Sequence, residues 1–238
     1  GVIEVASWRN QVDAILLAWQ PGQEAGHAMA DVLSGKVNPS GKLPDTFALD
    51  LKDYPAAENF PGVTLLGPDP AASGGIVIND RAAEVEYRDD IRVGYRHFNT
   101  RDVEVAYPFG YGLSYTRFEY RDLKLTREDA GFTASVIVTN TGRRAGKEVV
   151  QLYVSAPNNA LDKPAAELRA YARTRLLQPG QSQTLVMRVY PRGLTSFDPA
   201  VHRWVAHPGR YTVSVGASSR DIRQQAHFDI KDGLSFMP

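Results

Sequence analysis

Ala106-Tyr-Pro-Phe-Gly-Tyr-Gly-Leu-Ser-Tyr-Thr116 divides the chain. Before it, strand-like and helix-like segments alternate; after it, only short strands and turns follow. Gly110 and Gly112 flank Tyr111 and leave the backbone free to take positive φ. The surrounding aromatics supply large apolar area, and Pro108 biases Tyr107 away from helix. Aromatic clusters of this kind more often pack than bind, so the stretch reads as a linker joining two domains rather than as a substrate contact. The division it implies is residues 1–106, a linker at 107–117, and residues 118–238.

Downstream, the apolar period is two. Phe132, Ala134, Val136 and Val138 alternate with Thr133, Ser135, Ile137 and Thr139, and Asn140-Thr-Gly142 ends the run with turn chemistry. Val150, Leu152 and Val154 repeat the pattern, Gln178-Pro-Gly-Gln181 turns into a strand over Thr184 to Val189, and Pro208-Gly209 leads to Tyr211, Val213 and Val215. Short strands at this spacing predict an antiparallel, immunoglobulin-like β-sandwich without a disulfide, with Phe197 and Trp204 expected in its core.

Upstream, Ser7 is placed to cap a short helix through Trp8 and Val12. Ala14-Ile-Leu-Leu-Ala-Trp19 is a continuous apolar run, the pattern of a strand covered on both faces. Pro21-Gly22 breaks it. Ala25, Ala28, Met29, Val32 and Leu33 then fall at helical spacing, with Glu24 at the positive end of the dipole and Gly35 placed to stop the helix. Strand, turn and helix make half of a βαβ unit, so the first half is expected to be α/β. Residues from Leu49 to Arg81 read as a long loop, with a short strand at Gly75-Ile-Val-Ile78.

Net charge is zero, with 27 basic and 27 acidic residues, which gives no global attraction to nucleic acid or an anionic membrane. No apolar run reaches membrane-spanning length. With no cysteine, disulfides and thiolate metal sites are excluded. The histidines lack HxH or HExxH spacing, no GxSxG elbow occurs, and the one glycine before the helix is neither GxGxxG nor a Walker loop, so no metal or cofactor is expected. Glu24, Asp89 and Asp90 are carboxylates whose ordinary roles, dipole partner and solvated charge, outweigh a catalytic one. His27 reads as a helix-face or packing residue rather than a catalytic one. Gly1 opens directly into apolar sequence with no initiator methionine, as though in the middle of a structure.

Several segments together resemble the C-terminal part of glycoside hydrolase family 3 enzymes of the β-glucosidase type. They are Asp13-Ala-Ile-Leu-Leu-Ala-Trp-Gln-Pro-Gly-Gln-Glu-Ala-Gly26, Ala30-Asp-Val-Leu-Ser-Gly35, Asn38-Pro-Ser-Gly-Lys-Leu-Pro44, Val93-Gly-Tyr-Arg96 and Tyr107 to Thr116. Val138-Thr-Asn-Thr-Gly142, Ala145-Gly-Lys-Glu-Val-Val-Gln-Leu-Tyr-Val154 and Leu176-Leu-Gln-Pro-Gly180 continue the match. The resemblance implies a (β/α)8-type barrel, then an α/β sandwich domain, then a fibronectin type III-like domain. This chain would hold the closing part of the second and all of the third. In the family, the nucleophilic aspartate lies on the barrel and the acid/base glutamate lies upstream of the part matched by residues 1–44, so no catalytic residue is transferred.

What is left for this chain is a scaffold role beside the barrel portion of the same enzyme, acting on a glycoside or oligosaccharide. Glu84 to Phe98 mixes charges with aromatics, and Tyr87 and Arg96 are its candidates for substrate binding. The competing reading is a non-enzymatic sandwich module for carbohydrate binding or adhesion. The sequence does not decide the compartment; a periplasmic or secreted setting is the expectation.

Overall fold

The computed structural model describes residues 1–64, 83–128, 131–157 and 161–238. Among its described residues the first half carries two α-helices, α1 (Ala25–Leu33) and α2 (Tyr95–Thr100). Four short strands, β1 (Phe47–Ala48), β2 (Val63–Thr64), β3 (Ala83–Glu84) and β4 (Val105–Tyr107), pair as the antiparallel ladders β1–β4 and β2–β3. A small core of Val5, Phe47 and Ala106 sits behind β1 and β4, with Trp8, Leu17, Leu43 and Tyr107 packed on it. Gly35, at φ +74°, ends α1 where the spacing placed its stop.

The second half is a two-layer sandwich. One layer has the order β5 (Phe118–Glu128), β6 (Gly131–Asn140) and β9 (Ser182–Val189). The other runs β13 (Ile222–Ile230), β12 (Gly209–Gly216), β7 (Val149–Ser155) and β8 (Glu167–Arg173). All pairings are antiparallel. A third, small sheet joins β10 (Ser196–Asp198), β11 (Arg203–Ala206) and β14 (Leu234–Phe236). The period-two residues face inward: Phe132, Ala134, Val136 and Val138 of β6 meet Val150, Leu152 and Val154 of β7 and Tyr211, Val213 and Val215 of β12. The architecture is therefore α/β followed by an all-β sandwich, as the patterns indicated.

Four local expectations are corrected. Ala14 to Trp19 forms no strand, Trp19 takes φ +51°, and Ile15, Leu16 and Trp19 stand exposed. An apolar run becomes a strand only with neighbours to complete its hydrogen bonds, and the described residues provide none. Ser7 caps no helix. Its N–H and hydroxyl both donate to the Glu4 carboxylate, at 2.8 and 2.6 Å, and hold that carboxyl below its usual range. The turn that follows is a 3-10 turn, Arg9–Gln11, without a side-chain cap. Phe197 is exposed and Trp204 only half-buried, because both lie on the small outer sheet, where they meet edge to face rather than in the sandwich core. The expected loop from Leu49 begins with two 3-10 turns, Leu51–Asp53 and Pro55–Glu58, and with β2. The strand expected at Gly75 to Ile78 lies outside the described residues.

Candidate functional site

The dividing stretch packs into both halves. Gly110 takes φ +79° and passes so close to β7 that a Cβ there would come within 1.9 Å of Gln151 Oε1. Gln151 is buried, and its Nε2 donates to the carbonyls of Gly110 and Ala217 at 3.0 and 2.9 Å. Its Oε1 accepts from the Tyr153 hydroxyl at 2.6 Å. Leu43 N–H donates to Tyr111 O and Gly110 N–H to Leu43 O, which lays residues 107–117 against the first half. Asn38 extends the join: its Oδ1 accepts from Ser114 Oγ and Tyr115 N–H, and its Nδ2 donates to Ala145 O. Beneath lies a nearly buried ion pair, Lys42 Nζ to Glu148 Oε1 at 3.1 Å.

The segment from Glu84 to Phe98 leaves the β2–β3 ladder and ends on α2. Tyr87, beside the Arg88–Glu86 pair, is 88% exposed. Asp90 adopts φ +53° as the chain turns. From there the segment is fastened to the sandwich. Arg92 pairs with Asp162, and its hydrogen bond holds that carboxyl below the ordinary range. Tyr95 stacks on Phe109 with ring centroids 4.7 Å apart, and its Oη accepts from Leu168 N–H at 2.8 Å. Arg96 Nε lies 3.3 Å from Glu167 Oε1, an ion pair without hydrogen-bond alignment. Arg220, reaching from the other side, donates to Phe98 O and Val103 O. The two sequence candidates are thus separated in role: Tyr87 points to solvent and Arg96 grips β8.

Residues 1–115 match the glycosyl hydrolase family 3 C-terminal domain, and residues 148–219 match the fibronectin type III-like domain. The chain belongs to glycoside hydrolase family 3. A β-glucosidase of Rhizobium radiobacter is 43% identical over 226 residues, which are 94% of this chain and 26% of that protein. Beta-glucosidase B of Emericella nidulans is 40% identical, again over 26% of its own length. Among solved structures, β-glucosidase 3B from Thermotoga neapolitana in complex with α-D-glucose superposes with a TM-score of 0.89 at 46% identity, covering all of this chain and 31% of that one. A Bifidobacterium adolescentis family 3 β-glucosidase gives 0.86 at 34%, over 98% of this chain and 32% of its own. The family 3 chain therefore spans roughly a quarter to a third of the relatives it matches.

Two features of the family 3 chain bear on its chemistry. Among the described residues two shallow surface grooves stand out: one of about 410 Å³ runs between β8 and β9, lined by Leu168 to Tyr171 and Val186 to Arg188, and one of about 310 Å³ lies along Ile222 to Gln225. No carboxylate lines either. Glu24 stands at the start of α1 and pairs with the equally exposed His27 at 2.7 Å, the helix-face role read from sequence. Among the described residues no three His, Cys, Asp or Glu side chains cluster as metal ligands. The second feature is apolar surface on the first half. Ile15, Leu16, Trp19, Met29 and Val37 are exposed, and Leu33 is 72% exposed on a helix with no buried residue. Sequence reasoning missed Lys42–Glu148, Gln151 and Glu167: each sits inside a strand-like run or turn, where pairing partners are set by the fold alone.

Proposed function

We propose that this chain is the scaffold portion of a retaining, exo-acting β-glycosidase of the β-glucosidase type. A (β/α)8 barrel and both catalytic carboxylates lie on the rest of the enzyme. The observation that carries this is the match at about 40% identity to proteins named β-glucosidases, over only about a quarter of their length. The apolar surface left open on the first half is what an adjoining portion of the same enzyme would cover. The relatives lend no support to a free adhesion or carbohydrate-binding module.

In the whole enzyme, one carboxylate attacks the anomeric carbon while a second protonates the leaving oxygen, the two about 5–5.5 Å apart. This chain's part is to place walls around that chemistry. Residues 1–106 close the α/β sandwich, 107–117 join it to the brace, and 118–238 form the brace. Tyr87 and Arg96 belong to the segment that borders the substrate cleft, Tyr87 as the exposed contact and Arg96 chiefly as its anchor on β8.

An aryl β-glucoside assay tests the assignment. The isolated chain gives no turnover; turnover from contaminant-free material would place the catalytic groups here and overturn it. In the whole enzyme, Tyr87→Ala raises KM several-fold with kcat nearly unchanged, as loss of uniform binding requires. Unchanged kinetics on several glycosides would remove Tyr87 from the cleft.

A further inference from the structure

Besides the Arg92–Asp162 pair, three ties fasten residues 84–100 to the strand β8 region. Thr100 Oγ1 accepts from Ala165 N–H at 2.9 Å, Tyr95 Oη accepts from Leu168 N–H at 2.8 Å, and Arg96 faces Glu167. The first two are backbone bonds that any residue at 165 or 168 except proline supplies. The third depends on one side chain. Glu167 is 17% exposed and divides its two oxygens, Oε1 toward Arg96 and Oε2 accepting from Arg169 on its own strand. Arg169 fixes the carboxylate so that only one oxygen is turned to the segment. Arg96 is in turn held over the Tyr95 ring, 5.7 Å from its centroid. The pair is shielded from solvent on the Glu167 side, where charge pairs are screened less than on an open surface.

We infer that Glu167 is a positioning residue for substrate binding: through Arg96, the fibronectin-like domain sets the placement of the segment that carries Tyr87. The inference rests on the reading of that segment as a cleft border. It gives the sandwich a direct influence on the active site, beyond bracing. A displaced wall weakens contacts made equally in ground and transition states, so the effect falls on KM and spares kcat.

The experiment uses the whole enzyme with Glu167→Gln, which keeps the shape and removes the charge. Amide hydrogen exchange across residues 84–98 speeds up by about tenfold, since local opening reports the lost anchor. KM rises about fivefold, with kcat within about twofold of the parent. Arg96→Gln does the same, and the double variant is no worse than either single, as a shared interaction demands. Asp229→Asn, which breaks the exposed Arg210–Asp229 pair on β12 and β13, leaves exchange and kinetics alone. If Glu167→Gln does not fold, Arg96→Gln carries the test from the other side. Unchanged exchange overturns the anchor and leaves the cleft reading to the Tyr87→Ala result. Faster exchange with unchanged KM overturns the inference through its premise, because the segment then moves without touching substrate binding.

Discussion

At the residue scale, Tyr120 shows how one atom shapes stability. Its ring fills the sandwich core at 4% exposure, yet its hydroxyl is buried without a hydrogen-bond partner. Such a group carries a desolvation cost of about 1–3 kcal/mol. Tyr120→Phe keeps the packing and should stabilise the chain at neutral pH by about 1 kcal/mol, measured by urea denaturation. The same residue governs alkaline behaviour. Burial pushes the hydroxyls of Tyr120 and Tyr153 above the ordinary tyrosine range. The native chain therefore keeps two protons that the unfolded chain releases from about pH 10. Stability present below that pH falls as pH rises through it, by up to about 1.4 kcal/mol per pH unit for each group. Tyr120→Phe removes one contribution, so its stability falls less steeply above pH 10. An unchanged alkaline slope would show that Tyr120 titrates normally. Lys163, lowered by burial, acts with the opposite sign at lower pH, so the comparison is made above its range. Little of this was legible in the sequence. Tyr120 alternates with Glu119 and Arg121 before an irregularity at Asp122 breaks the period, so its burial is readable, but an orphan hydroxyl depends on what the opposite sheet leaves out. Gln151, Lys42 and Glu148 were hidden for the same reason: a polar residue in an apolar run looks like a solvent-facing position until its partners arrive.

At the scale of elements, the legible parts are those whose stability is local or whose partners lie close by. The alternation in β6, β7, β9 and β12 is visible because both sheets of the sandwich are supplied by this chain. The helix α1 is visible from its spacing and its stop glycine. Ala14 to Trp19 misled because period and composition state what a segment can pair with and not whether the partner is present. In the stretch 107–117 Gly110 takes the positive φ that its composition allows and Gly112 does not, and Gly110 is the tightest point. Gly110→Ala adds a Cβ at positive φ against Gln151 and breaks the three bonds that the Gln151 amide makes. The expected loss is at least about 2 kcal/mol, from backbone strain plus buried polar groups left unpaired. Thermal unfolding of the variant measures it, and a shift of under one degree would mean that the linker yields without cost.

At the scale of the whole molecule, the contrast is between a second half whose apolar faces meet each other and a first half that leaves apolar side chains facing outward. The sandwich core is built from residues exposed by less than a tenth, whereas α1 has none buried and Leu33 stands 72% exposed. A helix with an apolar stripe is stabilised mainly by what covers it, not by its intrinsic propensity. Comparing one substitution in two settings therefore measures the cover. In the isolated chain, Leu33→Lys replaces an exposed leucine with an exposed lysine on a helix and should change stability by no more than about 0.5 kcal/mol. In the whole enzyme the same change would bury an ammonium where a leucine packs, costing about 2–4 kcal/mol or displacing the helix. Denaturation of both forms, followed by tryptophan fluorescence, gives the two values. A large difference assigns α1 to the contact with the rest of the enzyme. Equal small effects would leave α1 on the outer surface of the assembled protein, and the cover would then have to fall on Ile15, Leu16 and Trp19 instead.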